Sequence, residues 1–311
     1  MKIVIVGPGA MGCLLAAYLS KSREEIWLLD KDRQRAEKIN RLGINVEGVS
    51  GNWQATKLRC TAEAQEIGTA DLVIACVKSY DTKEAVVRCR PLIADATRVL
   101  TIQNGIGNTE IIAEIVGAEK VIGGVTNLGV TLIETGHIRH AGKGETVIGR
   151  ADGKIPVEMR SIREVFNGVG LEMRISRDIK SLLWSKLIIN VGINALTAIT
   201  GLPNGRLTEF ESTRRILRES VTEAIRIAKR KRIKLIYDDP LAKVEAVCEA
   251  TAANISSMLQ DVLKKRRTEI DFINGVIVRQ GQELGMPVVV NAVLVDLVKT
   301  IEATYNSGRC A

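Results

Sequence analysis

Residues 2–12 read KIVIVGPGAMG, an apolar run that leads directly into a cluster of glycines. The run predicts a buried β-strand, and the six residues that follow it fit the pattern G-x-G-x-x-G: Gly7, Pro8, Gly9, Ala10, Met11 and Gly12. At the opening of a helix, Gly7 permits a tight turn, Gly9 lets the backbone approach a pyrophosphate, and Gly12 lets helix and strand pack closely. The amide groups at the helix N-terminus favour a bound anion. The stretch therefore predicts a dinucleotide site.

Short apolar runs alternate with helical stretches through the first half of the chain. The predicted strands are residues 2–6, 26–29, 71–77 and 98–102, and the predicted helices are residues 10–21, 32–41, 81–90 and 108–116. Such alternation predicts a doubly wound, Rossmann-type α/β sheet. Residues 121–149 favour hairpins added to that sheet, before a helix at 155–168 and a last strand at 171–175.

The second half has helical periodicity only. Helices are predicted at residues 178–199, 208–231, 241–263, 269–284 and 288–305, with prolines in three of the connections. We therefore expect an α/β dinucleotide-binding domain at residues 1–176, followed by an all-α substrate and catalytic domain at residues 177–311.

The composition is that of an ordinary globular protein, with 46% hydrophobic and 26% charged residues. No apolar run approaches the roughly 18 residues of a membrane helix, and the N-terminal run is too short for a signal peptide. A cytoplasmic protein with no membrane partner is expected. The net charge is +8, and the one dense basic run, at residues 264–267, contains no aromatic residues. No nucleic-acid partner is therefore expected. A positive field also suits a phosphate-bearing cofactor and a carboxylate substrate.

Cysteine and histidine are arranged unfavourably for metal binding. The chain has two histidines, in one short segment, and its cysteines show no CxxC spacing: Cys13, Cys60, Cys76, Cys89, Cys248 and Cys310. Reduced, mostly buried thiols are expected, with no metal site and no Ser-His-Asp triad.

The end of the second predicted strand bears on the choice of cofactor. Asp30 stands there, 18 residues after Gly12, where a carboxylate accepts hydrogen bonds from a ribose and repels a 2′-phosphate. This favours NAD(H). Lys31 is adjacent, however, and Arg33 and Arg35 follow, so a basic group turned toward a 2′-phosphate keeps NADP(H) open.

Two further strand ends carry polar residues. Lys78 and Asn104 follow the third and fourth predicted strands, and ligands of doubly wound sheets bind outside the carboxyl ends of the strands. Both are candidates for the ribose and nicotinamide end of the cofactor. The alternatives are a solvated loop lysine and a structural Asn-Gly turn.

A candidate catalytic group lies in the first helix of the second half. Residues 182–196 are apolar around nearly the whole helix, but Lys186, Asn190 and Asn194 recur at spacings of four and therefore share one stripe. Buried polar groups need partners, which a polar pocket supplies; the alternative is a lysine that reaches the surface beside two structural amides. An ammonium group there can stabilise negative charge on a reacting ketone oxygen and protonate it, and partial burial would lower its pKa.

The sequence resembles the ketopantoate reductases, which reduce 2-dehydropantoate to pantoate on the route to pantothenate and coenzyme A. Besides the residues above, the resemblance rests on residues 136–142, 184–187, 203–205, 254–261 and 267–275. It implies that Lys186 is the general acid and that Glu269 binds substrate and influences the lysine. It also implies substrate contacts, with Asn204 a secondary one: Asn190, Asn194, Asn204, Asn254 and Ser257.

Some expectations depend on local structure. Asn254 and Ser257 are three residues apart, so one helical face can present both. Glu269 follows Thr268, a candidate N-cap, and its alternative role is favourable charge at a helix start. The family usually carries a basic residue where Asp30 stands and usually prefers NADPH.

Two other functions stay open at this point. One is a reductase of another branched 2-oxo acid on the same scaffold, since the shape of the pocket selects the side chain. The other is a non-catalytic dinucleotide-binding sensor, which would be expected to lack the complete set of substrate-site residues. A small 2-oxo acid is the expected partner, and a homodimer is the default expectation for the assembly.

Overall fold

A computed structural model describes residues 1–305. The strands are β1 (Lys2–Val6), β2 (Glu25–Leu29), β3 (Ile44–Gly48), β4 (Trp53–Ala55), β5 (Arg59–Thr61), β6 (Leu72–Ala75), β7 (Arg98–Thr101), β8 (Val121–Thr126), β9 (Gly129–Glu134), β10 (His137–Gly142), β11 (Thr146–Gly149) and β12 (Met173–Ile175). The α-helices are α1 (Ala10–Leu19), α2 (Arg33–Leu42), α3 (Thr82–Arg88), α4 (Asn108–Val116), α5 (Val157–Gly168), α6 (Ile179–Thr200), α7 (Glu211–Arg230), α8 (Pro240–Ala250), α9 (Ser257–Leu263), α10 (Asn274–Leu284) and α11 (Val289–Thr304).

The chain folds into two compact units. One comprises Met1–Gln103 and Gly107–Ile179, and the other comprises Asn104–Ile106 and the chain from Lys180 onward. The domain boundary predicted between residues 176 and 177 stays a prediction. The boundary between the compact units lies three residues later, between Ile179 and Lys180. The short piece Asn104–Ile106 joins the helical unit, where the Ile106 amide donates to the Phe272 carbonyl at 3.1 Å. A contact so distant in sequence leaves no local pattern from which it could be predicted.

The main sheet of the first unit has the strand order β12-β11-β8-β7-β6-β1-β2-β5. The strands from β8 to β5 are parallel, while β11 runs antiparallel to β8. Ile3, Val4 and Ile5 of β1 have no exposed surface, as expected of a central strand covered on both faces. The predicted α/β fold is confirmed, and the carboxyl ends of β1, β2, β6 and β7 share one edge.

A second sheet, of order β4-β3-β10-β9, was not predicted as a separate layer. The predicted hairpins at residues 121–149 are divided, because β8 and β11 extend the main sheet while β9 and β10 pair with each other and with β3. This second sheet packs on α1, and just after that helix Lys21 Nζ lies 3.5 Å from the centre of the Trp53 ring. Strands of three to six residues, paired across about 90 residues of chain, show little periodicity of their own.

The helical unit packs around α6. By length and composition this helix could cross a membrane, but 67% of its most apolar window is buried inside the protein. Trp184, Leu187 and Val191 belong to the core that it forms with α7, α8 and α10. Packing in the protein interior therefore accounts for its hydrophobicity.

Two predicted helices of this unit are interrupted. The helix predicted at residues 241–263 ends at Ala250 and resumes at Ser257, because the backbone carbonyls of Ala252 and Asn254 accept hydrogen bonds from Gly205 and Asn204. The helix predicted at residues 269–284 begins as a short 3₁₀ turn, Ile270–Phe272, and becomes α-helical at Asn274.

Candidate active site

The glycine turn has the geometry that its pattern predicts. Gly7 has a φ of +94°, and its amide donates to the Leu29 carbonyl at 2.9 Å. A Cβ atom at Gly12 would lie 2.1 Å from the carbonyl oxygen of Gly7, so only glycine allows this approach of helix to strand. A Cβ atom at Gly9 would meet nothing within 4 Å. Gly9 is also the N-cap residue of α1, and because it has no side chain it leaves the helix N-terminus open. The open space and the uncapped amides both suit a pyrophosphate.

The two glycines provide a matched test of this geometry. Gly12→Ala should destabilise the protein by about 3 kcal/mol, because the methyl group meets backbone rather than a movable side chain. Gly9→Ala should unfold as the wild type does, yet bind NADP⁺ more weakly, because its methyl group enters the open space. Urea denaturation and calorimetric titration measure the two effects. Equal stability loss in both variants would contradict these assignments.

Asp30 is a partner of Arg35 rather than a free carboxylate. Its side chain is 2% exposed and accepts from Arg35 Nε at 2.8 Å and also from Arg35 Nη2. The amides of Lys31 and Asp32 donate to the same carboxylate at 2.7 and 3.2 Å. The hydrogen bond to Asp30 raises the pKa of Arg35, whose side chain remains 43% exposed. The carboxylate predicted to receive a ribose is thus occupied, and a cation faces solvent beside it.

The neighbouring strand ends come together near Asp30. Lys31 Nζ lies 3.5 Å from Asp81 Oδ2, which joins the loop after β2 to the loop after β6. Lys78, partly buried, precedes the 3₁₀ turn Ser79–Asp81. Gln103 Nε2 donates to the Val77 carbonyl at 2.7 Å and thereby holds the backbone just before Lys78. Sequence reasoning did not identify this role of Gln103.

Asn104, the other predicted residue of the nicotinamide end, belongs to the helical unit. It is followed by Gly105, which has a φ of +83° and where a Cβ atom would lie 2.3 Å from the Phe272 carbonyl oxygen. The predicted Asn-Gly turn is therefore held against the stretch of chain that follows Glu269.

Lys186 and Glu269 form an electrostatic pair inside the helical unit. Lys186 is partly buried on α6, and loss of hydration lowers its pKa to about 8, while the carboxylate of Glu269 acts in the opposite direction. Glu269 is 6% exposed. Asn190 and Asn194 follow on the same helix at the predicted spacing, Asn190 partly buried and Asn194 buried. Burial thus lowers the pKa of Lys186 in the direction expected from its place on an apolar helix.

The start of α9 lies against the second half of α6. Ser256 caps α9 by accepting from the Leu259 amide at 3.0 Å, and its Oγ lies 2.6 Å from Thr197 Oγ1. Thr197 also donates to the Asn194 carbonyl at 3.0 Å, so exposed Ser257 adjoins the part of α6 that carries Asn194. Ser256 and Thr197 were missed by sequence reasoning, although a serine before an apolar run is a capping signal.

Asn254 lies in the turn before α9, so the expectation that it shares a helical face with Ser257 is wrong. Its carbonyl accepts from the Asn204 amide at 2.9 Å, and Asn204 Nδ2 donates to Thr251 Oγ1 at 2.9 Å. Asn204 Oδ1 is buried without a hydrogen-bond partner among the described residues. The structure thus brings Asn204 and Asn254 together through a backbone hydrogen bond, beside a buried amide oxygen.

The described cysteines are all free thiols, and Cys310 lies outside the described residues. Burial raises the pKa of Cys13 to about 12, which keeps this thiol protonated at neutral pH. Across residues 1–305 no three His, Cys, Asp or Glu side chains converge in a way that could hold a metal ion.

Comparison with known proteins gives one consistent result. Residues 3–153 match the family model described as ketopantoate reductase PanE/ApbA, and residues 178–302 match the model of its C-terminal part. The 2-dehydropantoate 2-reductase of Halobacterium salinarum is 34% identical over 299 residues, which cover 96% of this chain and 98% of that protein.

Solved structures agree over the full length. A ketopantoate reductase from Ralstonia eutropha has a TM-score of 0.90 and 33% identity, covering 98% of this chain and 99% of its own. A D-mandelate dehydrogenase solved with NADH and anilino(oxo)acetate has a TM-score of 0.91 and 26% identity, with the same coverage. With a relative of this identity matched end to end, the chain belongs to the ketopantoate reductase family, whose members are pyridine-nucleotide-dependent oxidoreductases.

Proposed function

We propose that this protein reduces 2-dehydropantoate to (R)-pantoate with NAD(P)H, in the biosynthesis of pantothenate and coenzyme A. One observation carries the proposal: a partly buried lysine, paired with a buried glutamate and followed by two asparagines on the same helix. That combination provides both a proton donor and groups for a hydroxylated carboxylic acid.

The proposed residues have separate roles in substrate binding and in proton transfer. When bound, the reduced pyridine nucleotide supplies the hydride for the C2 carbonyl. Lys186 holds a proton on Nζ, stabilises the negative charge that develops on the carbonyl oxygen, and releases the proton to it. Glu269 favours the charged form of the lysine. Asn190, Asn194, Asn204, Asn254 and Ser257 are proposed to bind the substrate's carboxylate and hydroxyl groups.

The cofactor is proposed to bind along the strand ends of the first unit. Gly7, Pro8, Gly9, Ala10, Met11 and Gly12 would hold the pyrophosphate, and Lys31 with the Asp30–Arg35 pair would lie toward the adenosine ribose. Lys78 and Asn104 are proposed for the nicotinamide end. We further propose NADP(H) as the preferred form, because an exposed guanidinium stands where a free carboxylate was expected.

The pH dependence follows from the charge of Lys186. Reduction requires the ammonium form, so kcat/KM should be constant below about pH 8 and fall about tenfold per pH unit above it, while oxidation of pantoate should rise through the same range. Glu269→Gln removes a charge that raises this pKa. The part of the pH profile in which kcat/KM falls, called the alkaline limb, should therefore move to lower pH. Initial rates in both directions test this. An unchanged limb in Glu269→Gln would contradict the assigned pair.

The decisive experiment follows absorbance at 340 nm with purified protein, 2-dehydropantoate, and NADH or NADPH in parallel. Rapid oxidation of either cofactor establishes the reaction. Absence of turnover with both, in protein shown by titration to bind the cofactor, would refute the proposed substrate.

A second candidate is a reductase for another branched or bulky 2-oxo acid. The similarity to a D-mandelate dehydrogenase favours it, because that enzyme's name denotes a 2-hydroxy acid with an aromatic side chain. A panel containing 2-dehydropantoate, 2-oxoisovalerate and phenylglyoxylate separates the two candidates by kcat/KM. A cytoplasmic location and a homodimeric assembly remain predictions from the sequence.

A further inference from the structure

The chain after Glu269 is tied to α6 by the buried amide of Asn274, in addition to apolar packing. Asn274 has no exposed surface, and its Nδ2 donates to the Val191 carbonyl at 3.2 Å and to Asn291 Oδ1 at 3.0 Å. Val191 lies on α6, next to Asn190 and five residues after Lys186, while Asn274 lies five residues after Glu269. The Asn274 amide therefore adds a hydrogen bond between the helix that carries the lysine and the segment that carries the glutamate.

Asn274 is itself fixed from the far side. Asn291 Nδ2 donates to Glu223 Oε2 at 2.7 Å and to the Ser220 carbonyl at 3.0 Å. The Glu223 carboxylate also accepts from the amides of Val290 and Asn291, both at 2.9 Å, and so caps α11, which has no side-chain cap of its own. Because α7 and α11 hold Asn291 in this way, Asn291 can hold the amide of Asn274 in one orientation.

This arrangement is poorly explained by stability alone. A buried amide is unfavourable unless all its groups are paired, and Asn274 Oδ1 is buried without a hydrogen-bond partner among the described residues. An apolar side chain of similar volume would avoid that cost at Asn274, although Asn291 Oδ1 would then lose its donor. What the amide provides, and leucine would not, is a directional tie to one carbonyl of α6.

We infer that Asn274 is a positioning residue, which aligns Lys186 with Glu269 by tying the segment after Glu269 to the middle of α6. The inference rests on the proposed function, since it assigns a part to the same catalytic pair. Asn274 acts through the backbone of α6, not on the substrate. Loss of the tie leaves both catalytic groups in place but free to shift, and a misplacement of about 1 Å can lower a rate about 100-fold.

The test compares Asn274→Leu with Glu223→Gln, a variant of the same network that leaves the bond from Asn274 to Val191 in place. We expect Asn274→Leu to lower kcat about 10- to 100-fold with little change in KM for the cofactor. Its alkaline limb should move to lower pH, because Glu269 no longer acts fully on Lys186. Glu223→Gln should lower the melting temperature but retain kcat and the position of the limb.

Two controls keep the outcome decisive. Asn274→Ser, whose shorter side chain cannot reach both partners, should reproduce the kinetic change if the leucine variant folds poorly. All variants are assayed with whichever 2-oxo acid the wild type reduces best, so failure of 2-dehydropantoate as substrate is scored separately. The inference would be overturned if a folded Asn274 variant kept the wild-type kcat and the wild-type alkaline limb. It would also be overturned if Glu223→Gln changed kcat and the alkaline limb as much as the Asn274 variants do.

Discussion

Replacing Lys186 with alanine is expected to lower kcat/KM for 2-oxo acid reduction about 1,000-fold, the middle of the range for loss of a general acid. The physical reason is that the ammonium group both stabilises the developing charge on oxygen and donates the proton. Binding of NADP⁺, measured by calorimetric titration, should be unchanged, because the glycine turn and the Asp30–Arg35 pair lie in the other unit.

Two variants make this expectation specific. Lys180→Ala removes a lysine from the exposed start of the same helix and should retain wild-type kinetics. Lys186→Arg keeps a positive charge but not a group that loses its proton near pH 8, so it should recover part of the rate and lose the alkaline limb. Full activity in Lys186→Ala would refute the mechanism.

The residues that were predicted well are those whose role depends on local backbone geometry. The tight turn at Gly7 and the close packing at Gly12 follow from one strand, one turn and one helix, and the structure shows both. The pyrophosphate contact of Gly9 stays a prediction. The stripe of Lys186, Asn190 and Asn194 likewise needs only helical spacing. Such patterns repeat within a few residues and are therefore visible in the sequence.

The residues that were missed depend on partners far away in the chain. Ile106 pairs with Phe272, and Asn274 pairs with Val191 and Asn291, across separations that no periodicity reports. Asn254 was misplaced for the same reason: residues 241–263 have helical composition, but the loop at Asn204 takes the backbone carbonyl of Asn254. Tertiary hydrogen bonds outweighed local helix propensity there.

Asp30 shows a third limit: the end of β2 was predicted correctly, but the pairing of its carboxylate with Arg35 was not. The end of β2 is where a carboxylate meets a ribose, but α2 begins directly afterwards with Asp32 as its cap, accepting from the Arg35 amide at 3.1 Å. This geometry places the Arg35 guanidinium on Asp30. The sequence shows the residues but not which of them are paired.

Arg35→Ala is accordingly expected to reverse the choice of cofactor. A charge-assisted hydrogen bond contributes about 1.5–3 kcal/mol, so the affinity for NADP⁺ should fall roughly 10- to 100-fold. Affinity for NAD⁺ should hold or improve, because the variant frees the Asp30 carboxylate to accept from a ribose. Dissociation constants for adenosine 2′,5′-bisphosphate and AMP, measured by calorimetric titration, isolate the 2′-phosphate from the rest of the cofactor.

Arg41→Ala is the matched control, since it removes an exposed arginine from the last turn of the same helix and should leave both constants unchanged. Asp30→Asn supplies the complementary measurement. The asparagine has the shape of Asp30 but lacks its charge, so it holds the Arg35 guanidinium less firmly. The 2′-phosphate should therefore bind less tightly than in the wild type, but the loss of affinity should be smaller than in Arg35→Ala. Equal weakening of both ligands in Arg35→Ala, or a wild type that binds AMP as tightly as the bisphosphate, would show that Asp30 and Arg35 hold the fold of this loop and do not select the cofactor.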